Sequence, residues 1–290
     1  MKVGLVVHAG RPASREVAAE AARTLAELDI EVVATVGGAP SGNAYPGDLV
    51  HHAEVVEPGS FAADIELAIS FGGDGTFLRA AHLCRDAGVP VLGVNLGRLG
   101  FLAEVERHDL GPVLRAVAAG EYRVEERETL AMEVHDPDGE LLATDWALNE
   151  VAVEKTVRQR LLLLDVYFDG TFFAQVPADA LLLASATGST AYALSAGGPI
   201  VSPRVAATLV VPVAPHSLFD RTVVAGPEEV VRVELLEGQA SGLASCDGRD
   251  PVALEPGATV TVVGGGPPVL LARVGLIDFP TLVRRKFGLR

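Results

Sequence analysis

Short apolar runs alternate with helix-like segments over the first hundred residues, and this alternation constrains the fold more than any other feature. The patterns predict strands at 3–8, 31–36, 67–69 and 91–94, and helices at 14–28 and 76–86. Regular strand–helix alternation is typical of a parallel sheet with helices on its faces. We therefore expect an α/β N-terminal domain over residues 1–115.

The pattern changes after about residue 120, where apolar and polar residues begin to alternate with a period of two. This is the period of a half-buried strand, and it recurs at 130–135, 230–235 and 259–263. Further strands are expected at 146–154, 161–168 and 172–176. Asp169-Gly170 has the composition of a hairpin turn. The sequence thus predicts a β-rich, antiparallel domain over 116–271, interrupted by a short helix at 189–196, and a C-terminal helix within 272–290.

Composition excludes several classes of protein. Hydrophobic residues make up 49% of the 290 residues and charged residues 21%, which is incompatible with a wholly disordered chain. The formal net charge of −15 argues against nucleic acid as a partner. Two cysteines cannot build a disulfide framework. Because no apolar run reaches the ~18–20 residues that cross a bilayer, we expect no membrane partner and a cytoplasmic protein.

The segment Phe71–Thr76, which reads F-G-G-D-G-T, is the sharpest local motif. It lies between an apolar strand and a helix, at the strand end where α/β sheets bind ligands. Glycines allow close approach of the backbone and positive φ, and the N–H groups of the following helix suit phosphate. Asp74 among phosphates would hold a magnesium ion or accept a proton from an attacking hydroxyl. The alternative is a tight turn in which Asp74 only caps the helix.

Two further stretches combine ligand-binding side chains. Asn149-Glu150 places an amide beside a carboxylate in a β run, which suits adenine and ribose, although an ordinary strand end is the alternative. The run 184–200 concentrates hydroxyl and small side chains at the start of a short helix, where they could bind a nucleotide or cap the helix. Tyr192 could stack on a ring or simply pack.

Taken together, these stretches resemble the NAD kinase family over nearly the whole chain. The Asn149-Glu150 pair and the T-G-S-T-A-Y run distinguish this family from the diacylglycerol and sphingosine kinases, which share the glycine turn. The matching segments are Gly72–Thr76, 95–102, Asn149-Glu150, 187–192 with 195–199, 215–218 with Arg221, and Asp247-Gly248.

The resemblance implies an enzyme that phosphorylates the 2′-hydroxyl of the adenosine ribose of NAD to give NADP. It implies ATP or polyphosphate as the phosphoryl donor, Mg²⁺ or another divalent cation, a homodimer or homotetramer, and a last helix that returns to the first domain. Asp74 would be the general base or the group that orients the ribose hydroxyl. Gly72, Gly73 and Thr76 would form the donor loop.

The resemblance also assigns the NAD-binding residues, with Asn149 and Glu150 on the adenosine part and Asp179 reaching NAD from a neighbouring subunit. The full set is Gly75, Phe101, Leu102, Asn149, Glu150, Asp179, Thr187, Thr190, Ala191, Tyr192 and Ser195. Where the family usually reads G-D-G or S-D-G, this chain has Ala178-Asp179-Ala180. Arg158 and Arg160 are candidates for contacting the transferred phosphate. A lipid kinase of the diacylglycerol type and a non-enzymatic dinucleotide sensor remain as alternatives.

Overall fold

The computed structural model describes residues 1–8, 10–37, 49, 51–97, 100–217, 220–236, 241–275 and 277–290. Its contacts divide the chain into two compact units. The first unit contains residues 1–126 and 269–290, and the second contains residues 127–268. Residues 98, 99 and 218 of the motifs quoted above lie outside the described residues.

The first unit is built on an eight-stranded sheet with helices α1 to α3 and, near the C-terminus, α5. Its strands are β1 (Lys2–His8), β2 (Glu31–Gly37), β3 (Glu54–Val55), β4 (Leu67–Gly72), β5 (Val91–Asn95), β6 (Val105–Glu106), β7 (Arg123–Arg127) and β20 (Val269–Arg273). Its helices are α1 (Pro12–Glu27), α2 (Asp74–Cys84), α3 (Leu110–Ala118) and α5 (Phe279–Phe287).

The strands of this sheet follow the order β3-β2-β1-β4-β5-β20-β7, with β6 paired to β5. The pairs β1–β2, β1–β4, β4–β5 and β5–β20 are parallel. Strand β4 is buried along its whole length, which explains why its sequence is apolar except for Ser70. Because parallel strands point the same way, β4 and β5 end at one edge of the sheet, where the glycine turn lies.

The second unit contains two six-stranded antiparallel sheets and the short helix α4 (Tyr192–Ser195). One sheet has the order β15-β14-β13-β10-β17-β18 and the other β12-β11-β16-β19-β8-β9. The strands are β8 (Leu130–His135), β9 (Leu141–Ala147), β10 (Glu150–Lys155), β11 (Leu162–Phe168), β12 (Thr171–Ala178), β13 (Ala180–Ser185), β14 (Thr208–Val213), β15 (Val223–Ala225), β16 (Val231–Leu235), β17 (Gly242–Cys246), β18 (Val252–Leu254) and β19 (Thr259–Gly264).

The two faces of the first of these sheets pack into two different hydrophobic clusters, because successive side chains of a strand point to opposite faces. Val151 and Val153 of β10 join the large core that both sheets share, together with Leu181 and Leu183 of β13. Ala152 points the other way and packs in a smaller cluster with Leu182, Ala184 and Ala193 of α4. The predicted fold class, α/β first and antiparallel β second, is confirmed. None of the helices in the described ranges combines the length and apolar character needed to span a membrane.

The shared core predicts where truncation destabilises the second unit. Leu164 of β11 is fully buried in this core, whereas Leu142 of β9 is 51% exposed. We expect Leu164→Ala to lower the free energy of unfolding by about 3 kcal/mol, because it removes buried methyl groups and leaves a cavity. Leu142→Ala should change it by less than about 0.5 kcal/mol. Urea denaturation checks both values, and equal effects would contradict this assignment of the core.

Candidate active site

In the glycine turn of the first unit, only Gly72 is required by contacts within the protein, and no glycine is required for its backbone conformation. None of Gly72, Gly73 and Gly75 has a positive φ, contrary to the conformational freedom that the sequence suggested. At buried Gly72, a Cβ atom would lie 2.1 Å from the Thr76 hydroxyl oxygen. At Gly73 and Gly75, no atom lies within 4 Å of the Cβ position. The turn therefore leaves open space directly beside Asp74, the first residue of α2.

Asp74 is held by three consecutive backbone N–H groups from the segment that follows β5. Its Oδ2 accepts from Phe101 at 2.9 Å, and its Oδ1 accepts from Leu102 at 3.0 Å and from Ala103 at 3.1 Å. The carboxylate thus caps this segment, in addition to beginning its own helix. A Cβ atom at Gly100 would lie 2.0 Å from Oδ1, so the segment needs glycine there.

These hydrogen bonds orient the Asp74 carboxylate and leave one of its hydrogen-bond acceptor positions free for a ligand. A carboxylate offers about four lone-pair positions, and three are occupied here. The remaining position is on Oδ2, where a ligand hydroxyl could donate. Because half-buried Asp74 is fixed at both oxygens, it can orient such a hydroxyl without first ordering its own side chain.

Phe101 and Leu102, which sequence reasoning placed near Asp74, do lie beside it, through the hydrogen bonds of their own backbone. Phe101 is 9% exposed, and its ring centroid lies 6.4 Å from those of Phe279 and Phe287 of α5. The Lys286 ammonium lies 5.3 Å from the same ring. The last helix therefore supports the segment that holds Asp74. Buried Thr76 and exposed Gly75 complete the predicted residues of the first unit.

In the second unit, Asn149 and Glu150 lie at the start of β10, and their backbone N–H groups are bound by Asp247. The Asp247 carboxylate accepts from the backbone N–H groups of Leu148 at 2.8 Å, Asn149 at 2.7 Å and Glu150 at 3.2 Å. Asp247 itself adopts a left-handed conformation with φ of 51°. The side chain of Asn149 is buried.

The run 184–200, which contains T-G-S-T, packs directly against this turn. The amide N–H of Ser185 donates to the Asn149 carbonyl at 2.8 Å, and its hydroxyl donates to the Leu148 carbonyl at 2.5 Å. A Cβ atom at Gly188 would lie 1.9 Å from the same Asn149 oxygen. The small residues of the run are therefore needed for close packing against the backbone of Asn149.

The hydroxyls of the run are used partly inside the protein. Ser189 donates to the Ala186 carbonyl at 2.7 Å, and Thr190 donates to the Thr187 carbonyl at 3.2 Å. Of the predicted NAD-binding residues here, Thr187 is buried, Thr190 and Ala191 are half-buried, and Tyr192 and Ser195 are exposed. The exposed side chains of Tyr192 and Ser195, at the two ends of α4, remain available to a ligand.

Glu150 has the most perturbed carboxyl group near this turn. Burial raises its pKa from 4.5 to about 7, and the negative charges of Asp247 and Glu154 act in the same direction. A hydrogen bond from the Tyr192 backbone N–H opposes them. Its Oε2 is buried and has no hydrogen-bond partner among the described residues. A buried carboxyl group with a raised pKa and an unused oxygen is typical of a ligand-binding position.

Asp179 lies in the same neighbourhood. Its Oδ1 forms an ion pair with the Nζ of Lys155, at the end of β10. Its negative charge, with those of Glu154 and Glu150, helps burial to raise the pKa of the Tyr192 hydroxyl. The structure thus brings Asn149, Glu150, Asp179 and the 187–195 run together in the second unit. It keeps Arg158 and Arg160 exposed in the turn after β10.

Three structural features of these residues escaped sequence reasoning. The hydrogen-bonding roles of Asp247 and Ser185 and the steric need for Gly100 all depend on contacts between distant parts of the chain. The sequence of Asp247-Gly248 matches a family motif, which drew attention to Asp247 but did not indicate what its side chain does. Among the described residues, no three His, Cys, Asp or Glu side chains are grouped so that they could hold a metal ion.

Family models match both halves of the chain. The model of the ATP-NAD kinase N-terminal domain matches residues 3–122, and that of the ATP-NAD kinase C-terminal domain matches residues 148–274. NAD kinase 2 of Streptomyces coelicolor is 44% identical, with 99% of this chain and 94% of that protein covered. NAD kinase of Thermobifida fusca is 41% identical, with 98% and 88% covered.

Solved structures show the same fold. Yeast NADH kinase in complex with NADH superposes with a TM-score of 0.85 at 24% identity, covering 99% of this chain and 88% of that chain. An NAD kinase from Archaeoglobus fulgidus in complex with ATP superposes with a TM-score of 0.72 at 22% identity, covering 100% and 98%. The resemblance inferred from the motifs is confirmed, and the chain belongs to the NAD kinase family.

Proposed function

We propose that the protein transfers the terminal phosphoryl group of ATP to the 2′-hydroxyl of the adenosine ribose of NAD, giving NADP and ADP. The observation that carries this proposal is the Asp74 carboxylate, held by three N–H groups beside an open glycine turn. Family membership supports the phosphotransferase activity. The related proteins described above are NAD or NADH kinases and give no support to a lipid kinase.

In the reaction, the ribose 2′-oxygen forms a bond to the γ-phosphorus while the bond from that phosphorus to the bridging oxygen of ADP breaks. The proton of the 2′-hydroxyl leaves toward the free position on Asp74 Oδ2. Phosphoryl transfer depends mainly on positioning and charge stabilisation. A carboxylate that is already oriented supplies the positioning, because it fixes the direction of the attacking hydroxyl.

We infer that Mg²⁺ enters with the phosphates of ATP as part of the substrate. The described residues lack a cluster of carboxylate or imidazole ligands, and Asp74 already accepts three N–H groups. Magnesium is often bound through few protein ligands together with substrate phosphates. It would neutralise charge on the transferred group. Gly72, Gly73 and Thr76 would form the phosphate loop, with polyphosphate as a second donor.

In the second unit, Asn149 and Glu150 would bind the adenosine part of NAD. The ionised Glu150 carboxylate would accept hydrogen bonds from hydroxyl groups, using the oxygen that lacks a partner. Thr187, Thr190, Ala191, Tyr192 and Ser195 would complete this part. We further propose a homodimer or homotetramer in which Asp179 leaves Lys155 to reach NAD of a neighbouring copy.

Two buried free cysteines suit a reducing compartment, the cytoplasm.

Chromatography of the products tests the function directly. Purified protein with NAD, ATP and Mg²⁺ should form NADP and ADP in equal amounts, and a chelator should stop the reaction. NAD binding with no NADP from either ATP or polyphosphate would contradict the enzyme and favour a dinucleotide sensor.

Asp74→Asn should lower kcat by about 10²–10⁴-fold and leave NAD affinity nearly unchanged, because the amide cannot take up the hydroxyl proton. Asp86→Asn, at an exposed position just after α2, is the matched control and should retain full activity. Initial rates and calorimetric titration with NAD measure the two effects. Near-normal turnover by Asp74→Asn would exclude the proposed role of Asp74.

Gly75→Ala should leave the melting temperature equal or slightly raised, because the new methyl group meets no protein atom and alanine favours helix. It should still lower kcat/KM by about tenfold or more, since the methyl group occupies the space proposed for the ligand. Gly100→Ala should lower both activity and melting temperature, because its Cβ would overlap the Asp74 carboxylate. Full activity in Gly75→Ala would show that the open space is not used.

Glu150→Gln should weaken NAD binding but stabilise the protein at alkaline pH. Because the folded-state pKa is raised from 4.5 to about 7, the wild type is most stable at low pH and loses stability as the pH rises from about 4.5 through 7. The variant lacks this loss, so relative to wild type it should gain up to about 3 kcal/mol at pH 8 and less than about 1 kcal/mol at pH 5. Denaturant titrations at both pH values measure the gain, and an equal effect at the two would refute the assignment.

A further inference from the structure

We propose that Asp247 is a positioning residue for NAD binding, which holds the backbone of Leu148, Asn149 and Glu150 in the arrangement that the ligand needs. This inference rests on the proposed function, because it concerns the adenosine-binding residues of that reaction. Asp247 lies 97 residues from Glu150 in sequence, so only the fold brings the two together.

The geometry leaves the Asn149-Glu150 turn dependent on a single carboxylate. Oδ2 accepts one N–H group, and Oδ1 accepts two, at distances of 2.7 to 3.2 Å. Leu148 and Asn149 precede β10, and Glu150 is its first residue. The pairing of β10 with β17 begins only at Val151, so on this side the carboxylate accepts the N–H groups that have no strand partner. Hydrogen bonds to a charged acceptor are short and strong, and three of them restrict the turn to one conformation.

The backbone of Asp247 also contributes to this contact, through its conformation and through a hydrogen bond of its own. Its φ of 51° is followed by 67° at Gly248, and a left-handed conformation is unfavourable for most residues other than glycine. The N–H group of Asp247 in turn donates to the Glu150 carbonyl at 3.0 Å. Arg249 supports the same turn by donating to the Asp145 carboxylate at 2.7 Å and to the Trp146 carbonyl at 2.5 Å.

The charge of Asp247 has a second effect on Glu150. The charged groups that act on Glu150 are Asp247 and Glu154, and the Tyr192 backbone N–H opposes them. Neighbouring β13 carries no ionisable side chain, and burial raises the pKa of Cys246 on β17, which keeps that thiol neutral. Neutralising Asp247 should therefore let Glu150 ionise at lower pH.

The first test is Asp247→Asn, which has nearly the same shape but keeps only one acceptor oxygen. We expect the KM for NAD to rise about tenfold or more with a change in kcat of less than about threefold, because binding geometry is lost and Asp74 is untouched. Wild-type affinity for NAD should increase about tenfold from pH 6 to pH 8 as Glu150 ionises, and this increase should be smaller in the variant.

Asp169→Asn is the matched control within the same unit. Asp169 also has a left-handed backbone, with φ of 46°, precedes a glycine, and accepts a backbone N–H group, that of Val230 at 3.0 Å. This change should lower the melting temperature slightly and leave the KM for NAD and its pH dependence as in wild type. An equal change in KM from both variants would reduce Asp247 to a structural role and overturn the inference.

Asp247→Glu provides a second variant if the asparagine form does not fold. It retains the charge but displaces the oxygens by one methylene, so the KM should rise while the pH dependence stays that of wild type. Wild-type KM in this variant would overturn the inference while leaving NADP formation, and thus the proposed function, intact. Absence of NADP formation by the wild type would instead overturn the proposed function, and this inference with it.

Discussion

In both units, the candidate ligand-binding residues are positioned by the same interaction, a carboxylate that accepts hydrogen bonds from three consecutive backbone N–H groups. Asp74 does this for residues 101–103, and Asp247 does it for residues 148–150. Hydrogen bonds to a charged group contribute roughly 1.5–3 kcal/mol each, so either cluster outweighs an ordinary turn. In each case a short irregular segment carrying ligand-binding residues is held as firmly as regular secondary structure.

Glycines at contact points make these arrangements possible. The burial of a carboxyl group, that of Glu150, lowers the stability of the second one when that group is ionised. Gly100 allows Asp74 to reach its three donors, and Gly188 allows the hydroxyl-rich run to approach the carbonyl of Asn149. The same packing buries Glu150 beside Asp247, which raises the pKa of Glu150 to about 7. The protein thus keeps a carboxyl group where its ionised form is disfavoured, a cost in stability that a binding role explains.

Periodicity was enough to predict the fold class, because the first unit is a strand–helix alternation and the second a set of period-two strands. The motifs pointed to Asp74 and Asn149-Glu150 as well. Sequence could not reveal that Asp247 holds the Asn149-Glu150 turn, because the bonded residues are 97 to 99 positions apart. It also suggested positive φ for the glycine turn, whereas none of the three glycines has one; contact with Thr76 explains Gly72, and open space lies beside Gly73 and Gly75.

A crystal structure of the protein with NAD and a non-hydrolysable ATP analogue tests the proposed role of Asp74 most directly. We expect the ribose 2′-oxygen to lie about 2.6–3.2 Å from Asp74 Oδ2 while the hydrogen bonds to Phe101, Leu102 and Ala103 persist. A 2′-oxygen far from Asp74, or a complex in which Asp74 releases all three N–H groups, would contradict it.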